Sequence, residues 1–569
     1  MRAPAGACDR SGPARALVGC RAVPSYLPPH SPVACITIRR VWSHVAWYRI
    51  RLNNRHLGVV TIPATTRPCL MLDFTCLMVL GCDTSHSASV LATSEGITAA
   101  SPVRAGYYAA PTGTSRGDGS FNQPWDLVTG LAGAGGRVRP GDTLWLRGGT
   151  YRGAFVSTLT GMAAAPIVVR QYPGERAMID GRGATACTFT IDGAWAVFWG
   201  FEIMNSGLDR YSYRPCPVYV RHTSHVKVVN LIVHDGGVAL YTEPGATDIE
   251  VYGCLIYNNG YQTTRGNGHA LYVKSDAGPV YLRDNIMFNQ FNYGVHAYSN
   301  AGSGGLNNIH VEGNVSFNNG IVSTAGANAG AANILLGGYE PMRNTTATDN
   351  MTYFSPGYGV YNVVLGLDTV LNTDAGFQNN YVVGGVRAIE AGFWRSLTVT
   401  GNEVLSATRM AVLDQRTVSG YTWNGNRYFR DPAALAWRYG STDYSFAGWR
   451  SATGLGARDQ AVAALPTQPQ LFVRPNRFEP GRATIVVYNW PLLAAVVVNL
   501  SGVLQIGDRY ELRNAQDYFG APLLSGTFGG TLSVPMTGVA PPAIIGGSPN
   551  PPQQTGPAFD VFIVQKVTP

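Results

Sequence analysis

The sequence contains very little lysine and little charge of any kind. Only three of its 569 residues are lysines, Lys227, Lys274 and Lys566, and charged residues make up 13% of the chain. The formal net charge of +8 is concentrated near the N-terminus, since residues 1–100 carry ten arginines and four carboxylates, which leaves residues 101–569 with only +2. A nucleic-acid surface needs clustered basic residues that follow the phosphate backbone, so this distribution argues against nucleic acid as a partner.

Cysteine is also scarce beyond the N-terminal region. Cys187, Cys216 and Cys254 are the only cysteines after residue 100, and no two cysteines of the chain form a CxxC pair. This pattern argues against a cysteine-bound metal and favours small buried side chains. A single disulfide, for example between Cys187 and Cys216, is compatible with the sequence if the protein is exported.

The chain has no uninterrupted apolar run long enough to span a bilayer. The apolar run within residues 69–89 is too short and is interrupted by Asp73, so it fits the apolar core of a signal peptide better. The end of the run, Val79-Leu80-Gly81-Cys82, resembles a bacterial lipobox, which leaves membrane attachment through a lipidated Cys82 and simple secretion as alternatives. We predict a leader and linker in residues 1–106, of which residues 1–60 are either disordered or an upstream extension, and a secreted, periplasmic or cell-surface protein.

What the sequence has in abundance is glycine, with 68 residues, together with asparagine, tyrosine and valine. This composition favours many short strands joined by turns. A strand-and-turn motif recurs at intervals of 22 to 36 residues, which suits the coils of a solenoid. Side-chain amides both donate and accept hydrogen bonds, so asparagines stacked at the strand spacing of roughly 4.8 Å can bond to one another. One column of the motif contains Phe201, Leu231, Cys254, Asn285, Asn314, Asn350, Asn380, Asn402 and Asn426.

The segment RPGDTLWLRGGTYRGAF, residues 139–155, resembles the first coil of right-handed parallel β-helix proteins of the pectate-lyase-like superfamily, and the stacked motif strengthens the resemblance. We therefore predict an all-β protein with a right-handed parallel β-helix over residues 107–430. A partly helical cap or connector is predicted over residues 431–468. Residues 469–569 resemble the small C-terminal β-sandwich found on many carbohydrate-active enzymes.

Function on a β-helix depends on the outward side chains of adjacent coils, because strands in register align their residues in columns. Three strands carry polar groups suited to acid–base chemistry, and in them Leu240, Leu271 and Val295 are predicted to point inward. By alternation, two outward columns are predicted, one with Tyr241, Tyr272 and His296 and the next with Glu243, Lys274 and Tyr298.

We predict catalytic roles within this group for His296, Tyr272, Lys274 and His269, and substrate binding by Arg265, Glu243, Tyr241 and Tyr298. Lyases of the resembled superfamily use lysine or arginine as the base at C5 of a uronate. Glu243 would raise the pKa of Lys274, however, which favours His296 or Tyr272 as proton carrier and Lys274 or Arg265 as the clamp for the substrate carboxylate. The alternative is a simple surface ion pair between Glu243 and Lys274. His269 follows Gly-Asn-Gly, where alternation fails, so a structural and a catalytic role both stay open.

No cofactor follows from the residues, although calcium sites built from Asp235, Asp248 or Asp276 stay open beside the usual role of such aspartates in capping turns. We recognise no acidic pair of the glycosidase kind. The resemblance implies a monomer whose partner is a polysaccharide, and we expect a lyase that cleaves uronate-containing glycan by β-elimination. A non-catalytic glycan-binding or surface protein is the alternative, and a glycoside hydrolase is the third hypothesis.

Overall fold

The computed structural model divides the chain into two compact units, one within residues 1–93 and one within residues 94–569. The first unit contains a three-stranded antiparallel sheet formed by Cys35–Arg39, Val45–Leu52 and Arg55–Pro63. The residues described are 35–39, 45–52 and 55–63, by their backbone, and 106–264, 267–328, 330–356, 358–367, 370–405, 407–414 and 418–567.

Three long, mostly parallel sheets form a solenoid in the second unit, which confirms the predicted all-β class and parallel β-helix. Each full coil adds one strand to sheet A, then one to sheet B, then one to sheet C. The strands of sheet A are Tyr107–Ala109, Thr143–Leu146, Ile167–Gln171, Ala196–Trp199, Ser224–Val229, Thr247–Tyr252, Val280–Arg283, Leu306–Asn307, Ile309–Glu312, Met342–Thr348, Thr373–Gln378, Leu397–Thr400 and Tyr421–Asn424.

Sheets B and C consist mainly of three- to five-residue strands. The strands of sheet B are Gly149–Arg152, Ala177–Asp180, Glu202–Met204, Ile232–His234, Leu255–Tyr257, Ile286–Phe288, Val315–Phe317, Met351–Tyr353, Tyr381–Val383, Glu403–Leu405, Arg427–Phe429 and Gln460–Val462. The strands of sheet C are Phe155–Ser157, Phe189–Ile191, Val218–Val220, Leu240–Thr242, Leu271–Val273, Val295–Ala297, Ala332–Leu336, Tyr361–Leu365, Arg387–Ala391, Arg409–Leu413, Trp437–Tyr439 and, antiparallel, Thr442–Tyr444. The solenoid strands thus extend to Val462.

The turn from sheet A to sheet B explains the recurring sequence motif. In nine coils the residue just before the predicted column has φ between +51° and +77°, and it is glycine, asparagine or aspartate in every case. These residues tolerate the left-handed conformation that the tight turn requires. The next residue then points into the core, where Phe201, Leu231 and Cys254 form the predicted apolar stack in the early coils.

The later coils contain the predicted asparagine ladder. The Nδ2 of Asn285 donates to Oδ1 of Asn314 at 2.9 Å, and the same Oδ1 accepts from the backbone N–H of Asn285 at 3.0 Å. This pair of bonds repeats through Asn350, Asn380, Asn402 and Asn426. The ladder ends on buried Asp459, whose Oδ1 accepts from the backbone N–H of Asn426 at 2.8 Å. Every rung therefore satisfies backbone groups that the turn would otherwise leave buried and unpaired.

A second amide ladder, which was not predicted from the sequence, lies at the turn from sheet B to sheet C and, in the later coils, at the start of the sheet C strands. The backbone N–H of Asn259 donates to Gln290, and that of Gln290 donates to Asn319. The side chain of Asn319 then donates to Asn333 at 2.9 Å, and Asn333 donates to Asn362 at 3.0 Å. This ladder does not stand out in the sequence, because one of its members is a glutamine and the intervals between its members are uneven.

Short helices flank the solenoid, and no helix in the described part of the chain is long and apolar enough to cross a membrane. Near the first coils, Leu127–Leu131 begins where Asp126 accepts from the N–H of Thr129 at 2.8 Å. At the other end Phe446–Thr453 places buried Trp449 over the last coil. The remaining helical segments are Thr324–Asn328 and the 3₁₀ turns Val418–Gly420 and Ala515–Asp517.

The C-terminal region forms the predicted β-sandwich. One antiparallel sheet contains Gln470–Pro475, Arg482–Tyr488, Phe559–Lys566, Arg509–Asn514 and Leu524–Thr527, and the other contains Ala495–Asn499 and Thr531–Pro535. Side chains from both sheets, such as Ile485 and Val496, share one buried core.

The sandwich packs against the outer face of sheet B through an apolar contact. Phe559 stacks on Tyr353 of sheet B with ring centres 4.4 Å apart, and Tyr488 donates to the carbonyl of Thr352 at 3.0 Å. Burying a large apolar side chain contributes roughly 1.5–3 kcal/mol, so this contact fixes the sandwich on sheet B. Cys187 and Cys216 form a disulfide between neighbouring coils, and Cys254 is a free, buried cysteine.

We predict that Asn350→Ala will lower the free energy of unfolding by more than about 3 kcal/mol, because each buried partner left unpaired costs roughly 1–3 kcal/mol. Asn350 donates to Val311 and Asn380 and accepts from Asn314, all within the core. The measurement is the midpoint of chemical denaturation by circular dichroism. Exposed Asn122→Ala is the matched control, and equal midpoints for the two variants would contradict a stabilising ladder.

We also predict that stability falls between pH 4 and pH 7 because of Asp560, which is buried with no partner for Oδ2 among the described residues. Burial raises the pKa of Asp560 to about 7. In this window the unfolded carboxyl loses its proton while the folded one keeps it, so unfolding becomes easier by roughly 1.4 kcal/mol per pH unit. Asp560→Asn should remove this slope in denaturant titrations, whereas exposed Asp374→Asn should retain it.

Candidate active site on sheet C

The outward face of sheet C carries the predicted column. Parallel register places Tyr241 beside Tyr272 and Tyr272 beside His296. Their inward neighbours Leu240, Leu271 and Val295 are buried, so the predicted alternation is confirmed. Because the strands are only three residues long, each presents one outward ring between two core residues.

The rings of this column stack on one another. Tyr219 and Tyr241 have centres 5.1 Å apart, as do Tyr241 and Tyr272, and Tyr272 lies 5.2 Å from His296. The ring faces therefore cover each other and leave edges and hydroxyl groups for solvent or substrate. The faces of these rings are therefore not available as a stacking platform for sugars.

Two turn residues complete the aromatic cluster around His296. The imidazole of His269 lies 4.2 Å from that of His296, and Tyr293 lies parallel to it at 4.3 Å. Tyr298, predicted for the neighbouring column, also stacks on His296, with ring centres 4.8 Å apart. His269 and Tyr293 precede their strands, where the alternation of inward and outward residues no longer applies. For this reason the role of His269 could not be decided from the sequence, and Tyr293 was not predicted as a site residue.

Both histidines of the cluster are uncharged at neutral pH. Burial lowers the pKa of His269 to about 3. Burial and the neighbouring His269 hold the pKa of His296 well below its usual value. Within the described residues, Nδ1 of His296 is buried and has no hydrogen-bond partner, whereas Nδ1 of His269 accepts from the N–H of Tyr293 at 3.4 Å.

Lys274 lies beside the ring column rather than in an ion pair with Glu243. Its ammonium donates to the carbonyl of Ser303 at 2.9 Å and lies 5.6 Å from the centre of the Tyr272 ring. Glu243 instead meets His222, with 3.3 Å between Oε2 and Nδ1. The ion pair considered from the sequence is therefore wrong, because the Glu243 carboxylate meets the preceding coil and the Lys274 ammonium meets the following one.

This placement reverses the expected electrostatics of Lys274. Burial lowers the pKa of Lys274, and the more distant Asp276 opposes the shift only in part. Burial, and to a smaller extent the nearby Tyr298, raises the pKa of Tyr272 to about 12, so its phenol keeps its proton at neutral pH. The site thus combines an amine that loses its proton more readily than usual with a phenol that holds one.

The remaining candidates lie apart from this cluster or outside the described residues. Arg265 is among the residues that the structure does not describe. Asp235 binds Arg210 and His234, Asp248 meets His225 at 2.6 Å, and Asp276 accepts from the N–H of Gly305 at 2.6 Å. In the described ranges no three histidine, cysteine or acidic side chains group as metal ligands. In this structure the aspartates considered for calcium therefore bond to a turn N–H or to arginine and histidine side chains.

A cleft of about 400 Å³ continues the face of sheet C beyond Tyr293. Gly366 and Gly392 form its floor. In these later coils they occupy the outward column that contains Lys274 and Tyr298 in the earlier coils. The walls include both signs of charge, and Tyr293 belongs to the cleft and to the histidine cluster alike. The polar lining residues are Tyr293, Tyr361, Arg387, Glu390, Asp414 and Arg438.

The carboxylates Glu390 and Asp414 in this cleft are not among the site residues predicted from the sequence. A signal was available, since glycine follows the last inward residue of three successive strands as Gly337, Gly366 and Gly392. A run of glycines in an outward column removes side chains from the surface and leaves a groove.

Residues 107–392, half of the chain, match the family model described as the Pel9A-like, right-handed β-helix region. The chain belongs to this Pel9A-like family. A search of curated protein sequences gives no significant match.

Several solved structures are similar to this Pel9A-like chain at low identity. One described as pectate lyase Pel9A is 15% identical, with 63% of this chain and 78% of that chain covered and a TM-score of 0.38. The GH136 lacto-N-biosidase from Eubacterium ramulus is 14% identical, with 63% and 68% covered and a TM-score of 0.44. An alginate lyase from Paenibacillus sp. str. FPU-7 is 18% identical, with 55% and 97% covered and a TM-score of 0.33.

We predict that the imidazoles of His269 and His296 in this Pel9A-like β-helix will show no titration between pH 5 and pH 8, because burial keeps both neutral. The measurement is nuclear magnetic resonance of protein labelled with carbon-13 at histidine, with signals assigned through His269→Gln and His296→Gln. In the unfolded chain in denaturant the same carbons should titrate near the ordinary value of about 6.5. An inflection between pH 6 and pH 7 for either folded residue would refute their burial as neutral groups.

Proposed function

We propose that this protein is an exported polysaccharide lyase that cleaves a uronate-containing glycan by β-elimination on sheet C. The observation that carries the proposal is Lys274, a lysine whose ammonium meets a carbonyl instead of a carboxylate and whose pKa burial lowers. The family takes its name from Pel9A, and a solved structure of that name is described as a pectate lyase, which supports lyase chemistry as the starting hypothesis.

In the proposed reaction the neutral amine of Lys274 removes the proton from C5 of a uronate. A lysine held at its ordinary pKa is almost fully protonated at neutral pH, so the lowered pKa increases the fraction able to accept a proton. The backbone N–H of Lys274 donates to the buried hydroxyl of Thr242 at 3.1 Å, which holds the residue in place. Lys274 therefore takes the role of base, and not that of the carboxylate clamp expected from an ion-paired lysine.

Tyr272 supplies the proton that the leaving group needs. Its phenol is protonated at neutral pH, and the Lys274 nitrogen lies 5.6 Å from its ring centre, so one sugar can contact both groups. The C5–H electrons form the C4–C5 double bond, the bond from C4 to the glycosidic oxygen breaks, and that oxygen takes the Tyr272 proton. The products are an unsaturated uronate end and a new hydroxyl end, and no water is consumed.

The carboxylate of the uronate needs a cation while the C5 proton leaves, since charge moves onto it. Arg265 stays the predicted clamp, on a segment adjoining the turn that positions His269. Nδ1 of His296 is buried and has no partner in the described structure, and in this proposal it accepts a hydrogen bond from a sugar hydroxyl after bound glycan opens the enclosure around it.

A non-catalytic glycan-binding protein is the second candidate. The observation that favours it is the burial of Lys274, His269 and His296, each only 7–8% exposed. A catalytic base must reach its substrate. The enclosure of these side chains is therefore as compatible with a purely structural cluster as with an active site that opens when glycan binds.

Export follows from the same proposal, because extracellular glycans lie outside the cytoplasm. The Cys187–Cys216 disulfide supports it, since disulfides persist in oxidising compartments. Lipid attachment through Cys82, which lies outside the described residues, and a monomeric state stay predictions.

We predict that Lys274→Ala will lower the rate of β-elimination by roughly 10²- to 10⁴-fold, the usual contribution of a general base. The assay follows ultraviolet absorbance of the unsaturated product on a panel of acidic polysaccharides. The rate of the unaltered protein should rise with pH as the ammonium deprotonates, with a midpoint below the ordinary lysine pKa.

Lys227→Ala is the matched control, because Lys227 is on sheet A, where it pairs with Glu250 at 3.4 Å. Its rate should equal that of the unaltered protein. Equal rates for Lys274→Ala and the unaltered protein would refute Lys274 as base. Retention on glycan with no turnover by any variant would favour the non-catalytic candidate.

A further inference from the structure

We propose that the cleft beside Tyr293 is a subsite for an uncharged sugar, so that the glycan recognised on sheet C is a heteropolysaccharide with neutral sugars near its uronate. The assignment of the uronate rests on the proposed function, whereas binding of a neutral sugar in the cleft stands on the cleft alone.

The shape of the cleft suits a pyranose ring. Its floor is backbone, since Gly366 and Gly392 carry no side chains. A Cβ built on Gly366 would lie 2.0 Å from the carbonyl oxygen of Gly392, so no side chain fits at this position of the floor. Half-buried Tyr361 forms part of one wall and brings an apolar ring into contact with the space. A cleft of about 400 Å³ lies within the ordinary size of small-molecule sites.

The charges of the cleft are already paired, which excludes a strong site for a carboxylate. Nη1 of Arg387 donates to both oxygens of Glu390 at 2.7 and 2.6 Å. Arg438 donates to both oxygens of Asp443 at 2.7 and 2.9 Å. An acidic sugar would therefore meet guanidinium groups that already hold carboxylates. Like charges in a partly enclosed site repel, and the pairs would have to break to receive the new anion.

The same paired charges suit hydroxyl groups. A carboxylate accepts hydrogen bonds and a guanidinium donates them, and bonds to charged groups are about twice as strong as those between neutral groups. Arg387 also lies over the Tyr361 ring, 4.4 Å from its centre, so the guanidinium covers one face of that ring. One neutral sugar can thus contact the part of the Tyr361 ring that the guanidinium leaves uncovered and place its hydroxyls on the Arg387–Glu390 pair.

The position of the cleft relates it to Lys274. Between the strands Leu271–Val273 and Arg387–Ala391 there are four steps along sheet C, through Val295–Ala297, Ala332–Leu336 and Tyr361–Leu365. At about 4.8 Å per step the two positions lie roughly 19 Å apart along the solenoid axis. Tyr293 connects them, because it lines the cleft and stacks on His296. An extended chain of several sugars that follows the axis would contact both.

The test measures binding without turnover, in the full chain carrying Lys274→Ala. The probes are oligosaccharides of β-linked glucose, xylose, mannose and galactose, and oligosaccharides of galacturonate and of alginate, titrated by calorimetry. We expect at least one neutral probe to bind, and Gly392→Leu to weaken it by about tenfold or more by filling the floor. Gly502→Leu in the sandwich, where an added Cβ meets nothing within 4 Å, is the matched control and should leave binding unchanged.

Glu390→Gln tests the charge preference of the cleft without filling it with a larger side chain. It removes one carboxylate and leaves Arg387 unpaired, so affinity for the neutral probe should fall while affinity for the uronate probes rises. Circular dichroism melting confirms that each variant is folded.

The inference is overturned if no neutral probe binds, if Gly392→Leu binds as well as Gly502→Leu, or if the uronate probes compete for the cleft before Glu390 is changed. Absence of an unsaturated product in the separate lyase assay would refute the proposed reaction but leave these binding results intact.

Discussion

The bond between one buried asparagine amide and the next coil is the interaction on which the rest of the molecule depends. A solenoid must turn its backbone inside an apolar core once for every sheet, and each turn exposes polar groups that cannot reach water. The asparagines from Asn285 to Asn426 satisfy those groups and set the coil spacing at the same time. Of the column Tyr241, Tyr272 and His296, the ladder reaches the coil of His296 through Asn285, and the coil of Tyr272 through the N–H of Cys254 that donates to Asn285.

The sandwich decides which face remains for function. Its contact through Phe559 and Tyr488 covers the outer side of sheet B, whereas the lining of the cleft on sheet C belongs entirely to the solenoid. The aromatic cluster and the cleft follow one another along this face and share Tyr293. A chain-like ligand fits such a face because successive coils offer successive contacts.

Oppositely charged residues that are adjacent in an outward column need not form an ion pair. Glu243 and Lys274 occupy the same outward column, yet one side chain meets His222 and the other meets Ser303. Long side chains can reach the coil before or the coil after their own. Which coil they contact depends on local packing, which the alternation of inward and outward residues does not predict. The result is a lysine whose pKa is lowered by burial instead of raised by a carboxylate.

The sequence by itself determined the β-helix, the asparagine ladder and the inward or outward direction of strand residues such as Leu271 and Tyr272, because these follow from short-range periodicity and turn chemistry. Only the tertiary structure decided the position of turn residues such as His269, the partner of Lys274, the second amide ladder with its uneven spacing, and the cleft that brings Glu390 and Asp414 together. These features depend on contacts between coils and on side-chain reach, which a one-dimensional repeat does not record.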